Sequence, residues 1–430
     1  MKWAWPAALL LLCSCGTEYV VWRGHASDRS TEVRVVERRG IQRLLVGGVA
    51  QGAHHAVGVD AIAMAAGHVA YPVSDGTAWS IVRDGTPASS RWDAVGDVVL
   101  TADAAHLAYA AARGASWQLV VDEVPGAAFS AIDRGSVAFD RTARPVYVGW
   151  REGRAHVVRG TVVGPGWDTV HDLRVEGAVV YVAREGTKER AVNGDVASAA
   201  YDAIDELAQE GFVAREGSGQ LAVVRGKTVA SGALHGLVIA GPSYALAQKQ
   251  AAGEVVFRDG AVASEAWDAI PALTLSPNGE RAAWIGERQG RATVVVDGGS
   301  RGTWAWARAL RLPPRGVGFA YVGSMGGGAV VVTHRGRTAF DVVVEDSLVL
   351  TDDGEHWACV VGYASVRKTY VAIDGHPRVP FDLGEWSDAA AQLAGGNVAR
   401  RTEQLRAWVR AELLRYLGTV PGASATASAW

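Results

Sequence analysis

Leu273–Ala307, LTLSPNGERAAWIGERQGRATVVVDGGSRGTWAWA, decides how this chain is read. It divides into four short strands, at Leu273–Leu275, Ala282–Ile285, Thr293–Val296 and Thr303–Trp306. Ser276-Pro277-Asn278-Gly279 fills the first gap, and Asn and Gly there tolerate the positive φ of a turn. Gly290 sits in the second gap. Asp297-Gly298 fills the third, a strong signal for a tight reversal. A meander this short cannot bury both of its faces, so it needs copies of itself.

The copies are present. The small or acidic residue plus Gly that closes the third strand recurs at Gly48, Asp84-Gly85, Asp122-Glu123, Gly160, Asn193-Gly194, Gly226, Asp259-Gly260, Asp297-Gly298, Gly336 and Asp374-Gly375, at intervals of 32 to 39 residues. A second mark follows a few residues later, an aromatic or apolar residue usually followed by Asp. It reads Trp92-Asp93, Phe129-Ser130, Trp167-Asp168, Tyr201-Asp202, Trp267-Asp268, Phe340-Asp341 and Phe381-Asp382, and it degenerates near Leu234-His235-Gly236-Leu237. Two marks in phase over ten copies predict an all-β chain, a β-propeller of about ten four-stranded repeats in a ring of seven to ten blades. A large ring at one phased position fills the wedge between neighbouring sheets, and the Asp beside it can cap a turn or accept backbone N–H groups.

The best copies resemble the WD-like repeats of the TolB-type β-propeller family. Leu275-Ser276-Pro277-Asn278-Gly279-Glu280-Arg281-Ala282-Ala283-Trp284 is similar to that family's signature, with Asn where the family has Asp. Thr351-Asp352-Asp353-Gly354 and Thr101-Ala102-Asp103-Ala104 introduce weaker relatives. The resemblance covers residues 18–386 and implies a propeller. It implies little about a ligand, because such folds serve as scaffolds, translocation components and enzyme accessory domains alike.

Residues 1–15, MKWAWPAALLLLCSC, have the form of an export signal: Lys2, an apolar run too short to span a bilayer, then small residues. Leu12-Cys13-Ser14-Cys15 resembles a bacterial lipobox, which marks Cys15 for lipidation. A plain secretory signal cut elsewhere, or an uncleaved anchor, is the alternative. The expected location is therefore the cell envelope, as a periplasmic or outer-membrane lipoprotein or on the membrane's extracellular face. With Cys15 lipidated, Cys359 has no partner and reads as a buried, inert thiol. The net charge is −3, and no basic stripe interleaves with aromatics, so nucleic acid is not an expected partner.

No catalytic, cofactor or metal constellation stands out. Gly241-Pro242-Ser243-Tyr244-Ala245 falls short of a nucleophile elbow and lacks its strand–turn–helix setting. The eleven His are scattered, without H-E-x-x-H or paired C-x-x-C spacing. Ser324-Met325-Gly326-Gly327-Gly328 lacks the Lys-Ser/Thr of a phosphate loop. His54 and His55 follow the first mark and form a candidate binding loop near the propeller mouth. After Trp386 the pattern turns helical. Residues 387–417 form a helical segment that Asn397 can cap, with Val398, Leu405, Trp408, Val409, Leu413, Tyr416 and Leu417 broadly on one side. That helix either packs on the propeller or meets a partner or anionic lipid. Residues 418–430 read as a loose tail. The function expected is a lipid-anchored binding or scaffold module for a protein, peptide or glycan, with a propeller hydrolase or lyase as the alternative.

Overall fold

The computed structural model describes residues 19–25, 32–175, 177–363, 368–381 and 398–419. Residues 1–18, with the expected export signal and Cys15, and residues 26–31 and 420–430 lie outside them. Ten antiparallel sheets follow one another along the chain, each with strand order equal to sequence order. They span 19–50, 56–87, 94–129, 131–167, 169–197, 203–232, 234–262, 269–304, 306–340 and 342–381, and are numbered 1 to 10 here. Sheets 2 and 4 carry one extra short strand, because the first strand is broken by an excursion at 58–62 and at 133–137 respectively.

Sheet 8 is the stretch quoted above. Its strands are Ala269–Leu275, Ala282–Arg288, Arg291–Val296 and Gly299–Trp304. The fourth differs from the expected Thr303–Trp306. Asp297-Gly298 reverses the chain so tightly that pairing resumes at Gly299, and Trp306 opens the first strand of sheet 9. Trp304 and Trp306 thus belong to different sheets. Likewise Ala56–Val57 opens sheet 2, and sheet 1 ends with Val49–Ala50. The segments 205–214 and 243–251, ambiguous by helix propensity, are strands in phase with the repeat. Packing against neighbouring sheets overrides local propensity there.

Second strands read as continuous apolar runs because both of their faces are covered. In sheet 8, Ala283 and Ile285 pack toward sheet 9, whereas Ala282 and Trp284 pack toward sheet 7. A separate apolar core of this kind fills each of the nine junctions between consecutive sheets, here called seams. Among the described residues no such core joins sheet 10 back to sheet 1.

Sheet 10 meets a helix instead. Trp357, Cys359 and Val361 face sheet 9, and the alternate residues Ala358 and Val360 face helix α1, Val398–Thr419. Leu405, Trp408, Val409, Leu413 and Leu417 supply the helical side of that core. Arg406 donates to the Asp346 carbonyl at 2.9 Å, and Arg410 donates to the Asp352 carboxylate at 3.1 Å. The helix runs through Gly418 rather than stopping before it. Asn397 lies outside the described residues. Among those residues no helix is long and apolar enough to cross a membrane.

Candidate functional site

A site has to be separated from what the repeat itself consumes. The phased aromatic ends the outer edge of its sheet, opposite a fixed position of the third strand: Trp304 pairs Ala292, Trp167 pairs Ala155 and Phe129 pairs Trp117. Its ring then meets an aromatic on the second strand of the next sheet. Trp92–Tyr109, Phe129–Tyr147 and Trp304–Tyr321 all pack edge to face with centroids 5.8 to 6.4 Å apart. Two residues beyond that second-strand aromatic, the backbone must leave room for the incoming ring. A Cβ on Gly149 or Gly323 would stand 2.7 or 2.6 Å from the Phe129 or Trp304 ring, and Gly286 is crowded in the same way by Trp267. In sheet 6 the phased ring is absent: Gly232 takes its place, and Gln248 of sheet 7 fills the space and donates to the Ser231 carbonyl at 2.9 Å. Ring and counterpart are fitted by volume from seam to seam.

The phased Asp residues are used up as well. Asp93, Asp168, Asp202 and Asp268 accept the backbone N–H of Gly114, Gly186, Gly217 and Gln289 at 2.6 to 2.8 Å, closing the next sheet's hairpin. The Asp of the turn mark bridges two strands: Asp84, Asp122 and Asp374 each bind a His ring at 2.6 to 2.7 Å and accept the next backbone N–H. Among the described residues no group of three or more His, Cys, Asp or Glu is gathered as a metal site. Burial pushes the Cys359 thiol up, which keeps it protonated.

Sequence reasoning singled out His54 and His55, and the structure gives them different settings. His54 pairs Gln42 and packs edge-on against Tyr71 at 6.2 Å, which places it at the phased wedge position of sheet 1. Burial lowers its pKa from the ordinary 6.5, and its Nε2 has no protein partner. His55 is exposed, with its backbone N–H on the Ser74 carbonyl at 3.0 Å. The two rings do not converge on one another with other titratable groups.

What sequence reasoning missed is a departure from the repeat. At most seams the second-strand aromatic is a tyrosine, and its hydroxyl reaches the preceding sheet. Tyr71 donates to the Gln51 carbonyl at 3.2 Å; Tyr321 donates to the Arg301 carbonyl at 2.9 Å and accepts from Trp304 at 3.1 Å. The Tyr109 hydroxyl instead donates to the Glu123 carboxylate of its own sheet at 3.1 Å, and the Trp92 and Trp167 indole N–H groups have no protein acceptor. Four seams lack a hydroxyl at that register position: Leu246 and Cys359 stand there between sheets 6 and 7 and between sheets 9 and 10, and two seams carry another aromatic there, Phe212 between sheets 5 and 6 and Trp284 between sheets 7 and 8. Each of these two seams opens into a groove, of about 580 and 750 Å³ respectively. The first is walled by apolar residues such as Val180, Leu207 and Val223. The second is polar, with Glu265, Arg288, Arg291, Thr293, Ser300 and Thr303 around two tryptophans. The signal was legible in principle, as a phased Tyr replaced by Trp, but only the register shows which residues occupy one position.

Ten consecutive meanders packed face to face define the class: this is a β-propeller with a helix on its last sheet. No family model matches the chain, and no curated protein matches it in sequence. Among solved structures it is similar to a eukaryotic initiation factor, with 8% identity and a TM-score of 0.39 over 73% of this chain and 94% of that one. It is also similar to the β-propeller domain of the Trilobed protease from Pyrococcus furiosus (11% identity, TM-score 0.28, 56% of this chain and 95% of that one). A third likeness is to the Dos1 propeller, with 10% identity and a TM-score of 0.27 over 73% of this chain and 90% of that one. At these scores none carries an argument about what the chain binds.

Proposed function

We propose that this protein is an exported β-propeller, lipid-anchored at Cys15, that acts in the cell envelope as a binding or scaffold module. The observation that carries the binding reading is the polar groove at the Trp284 seam. There Glu265, Arg288, Arg291 and the hydroxyls of Thr293, Ser300 and Thr303 line a cavity of about 750 Å³, within the size range of ligand pockets. The phased Asp93, Asp168, Asp202 and Asp268 and the turn-mark Asp–His pairs already have structural partners. The anchor rests on Leu12-Cys13-Ser14-Cys15 and the apolar run before it.

The test is capture of a partner by membrane-extracted protein after mild cross-linking, with wild type beside Cys15→Ala. A specific partner held by wild type and lost on release from the membrane supports the anchored module. No partner, with fractionation unchanged by Cys15→Ala, removes the lipoprotein premise and the scaffold reading together. Alanine at Asp93, Asp168, Asp202 and Asp268 is expected to weaken the fold and not recognition. Loss of capture with stability intact would place binding on the repeat marks instead.

A further inference from the structure

Trp284 stands where five other seams have a tyrosine, and the two indole donors beside its groove are unmet, as those of Trp92 and Trp167 are at two other seams. Trp267 and Trp284 are 6% and 4% exposed, both border the groove, and neither indole N–H has a protein acceptor. A buried donor without an acceptor is costly, and Trp304, at the same phased position one seam on, has its acceptor in Tyr321. The charge around the groove is unbalanced in the same sense. Glu265 is its one carboxylate, and Arg288 holds it at 3.2 Å while lying over the Trp267 ring at 4.7 Å. Arg291 is exposed on the groove and makes no ion pair among the described residues. Two guanidinium groups, two indole donors and the hydroxyls of Ser300, Thr293 and Thr303 ask for a ligand rich in acceptors.

We propose that this groove captures the C-terminal carboxylate of an extended peptide, held between Arg288 and Arg291 with the indole N–H groups beneath it. The proposal rests on the binding-module reading above and names its ligand. Planar guanidinium groups match a carboxylate in geometry as well as charge. The indole nitrogens are covered in this structure, with Arg288 over Trp267. An arriving carboxylate replaces Glu265 as the partner of Arg288 and draws the guanidinium off the ring. The groove runs from the fourth strand of sheet 8 in to Trp284 on the second, two strand spacings or about 10 Å, room for about three extended residues to lead to a terminus seated at the Arg288–Arg291 hairpin. A sugar is disfavoured because no aromatic face is open for stacking. Trp267 lies between the Gly286 backbone and Arg288, and Trp284 is in the core.

The experiment titrates the full, detergent-extracted chain into fluorescein-labelled hexapeptides randomised at the last three positions, with a free C-terminal carboxylate or a C-terminal amide. Anisotropy is expected to saturate with the free acids and to need at least tenfold more protein with the amides. Arg291→Ala, a surface change, should weaken the acids about fivefold or more. Trp284→Tyr restores the repeat's hydroxyl and should weaken them at least tenfold while leaving circular dichroism unchanged and the melting temperature no lower. Equal binding of acids and amides, binding unmoved by both variants, or no binding by either pool overturns the proposal. So does competition by an oligouronate alone, which would assign the groove to acidic glycans. Partner capture that survives in Trp284→Tyr leaves the binding module standing and removes only this groove from it; absent capture together with absent peptide binding ends both.

Discussion

Two neighbouring seams of one molecule differ by a single side-chain choice. Between sheets 8 and 9, Trp304 meets Tyr321, whose hydroxyl accepts from the indole and donates onward to the Arg301 carbonyl. Between sheets 7 and 8, Trp267 and Trp284 share one core, neither indole N–H has a protein acceptor, and a groove opens. Both rings lie flat on a glycine and both seams have apolar cores. At the closed seam the Tyr321 hydroxyl satisfies a buried donor and ties the outer strand in the same place, and the Trp284 seam lacks that tie.

The comparison can be attacked at several strengths. The largest effect is expected from Trp304→Ala, which leaves a cavity and removes the hydrogen bond that the Tyr321 hydroxyl accepts, at about 4 kcal/mol in urea unfolding. Trp267→Ala should cost about 1 kcal/mol less, since no hydrogen bond is lost with the ring. Equal costs would show that the stitch adds nothing. Gly323→Val drives a side chain into the Trp304 ring and should cost about 3 kcal/mol by overpacking, with Gly286→Val matching it at the open seam. If Gly286→Val is tolerated while Gly323→Val is not, the ring at the open seam is loosely held.

Smaller changes are more specific. Tyr321→Phe removes one hydroxyl from the closed seam and should cost about 1.5 kcal/mol. It should also speed amide exchange around Arg301, and unchanged exchange there would count against the tie. Trp284→Tyr runs the experiment in reverse and should raise stability by up to about 1 kcal/mol, set against the ring volume lost; a loss beyond 2 kcal/mol would mean that the tryptophan pair packs better than its unmet donors suggest. The smallest effect concerns the first seam, where His54 takes the wedge position. Its folded pKa lies below the ordinary 6.5 because burial disfavours the charged ring, so the unfolded chain takes up the proton first. Its contribution is complete above about pH 6.5 and shrinks as pH falls through that value. His54→Phe should flatten the fall in melting temperature between pH 7.5 and 5.5, and an unchanged slope would assign the dependence to other groups.

Much of this was legible along the chain. Asp-Gly and Gly turn marks have a local physical cause, positive φ at the reversal, and Asp84, Asp122, Asp259, Asp297 and Asp374 all adopt it at 46° to 52°. Apolar second strands and phased rings likewise report burial on both faces. Strand ends were less legible: Trp304-Ala305-Trp306 looks like one strand and is the boundary between two sheets. Nothing local distinguishes a ring that closes its own sheet from one that opens the next. The groove was hidden for a related reason. Trp284 reads as one more core aromatic until its register shows that it stands where Tyr71, Tyr109, Tyr147, Tyr181 and Tyr321 stand.

By itself the sequence determined the repeat, its ten copies, the strand character of the chain and the helical turn of its C-terminal segment. These follow from periodicity and turn chemistry, which act over a few residues. Only the tertiary structure decided what lies against what: the matching of Gly232 to Gln248 and of Trp267 to Gly286, helix α1 in place of a further sheet on sheet 10, and the groove beside Trp284. Those outcomes depend on volumes and donors brought together from residues tens of positions apart, and close packing resolves them to a single methyl or hydroxyl group.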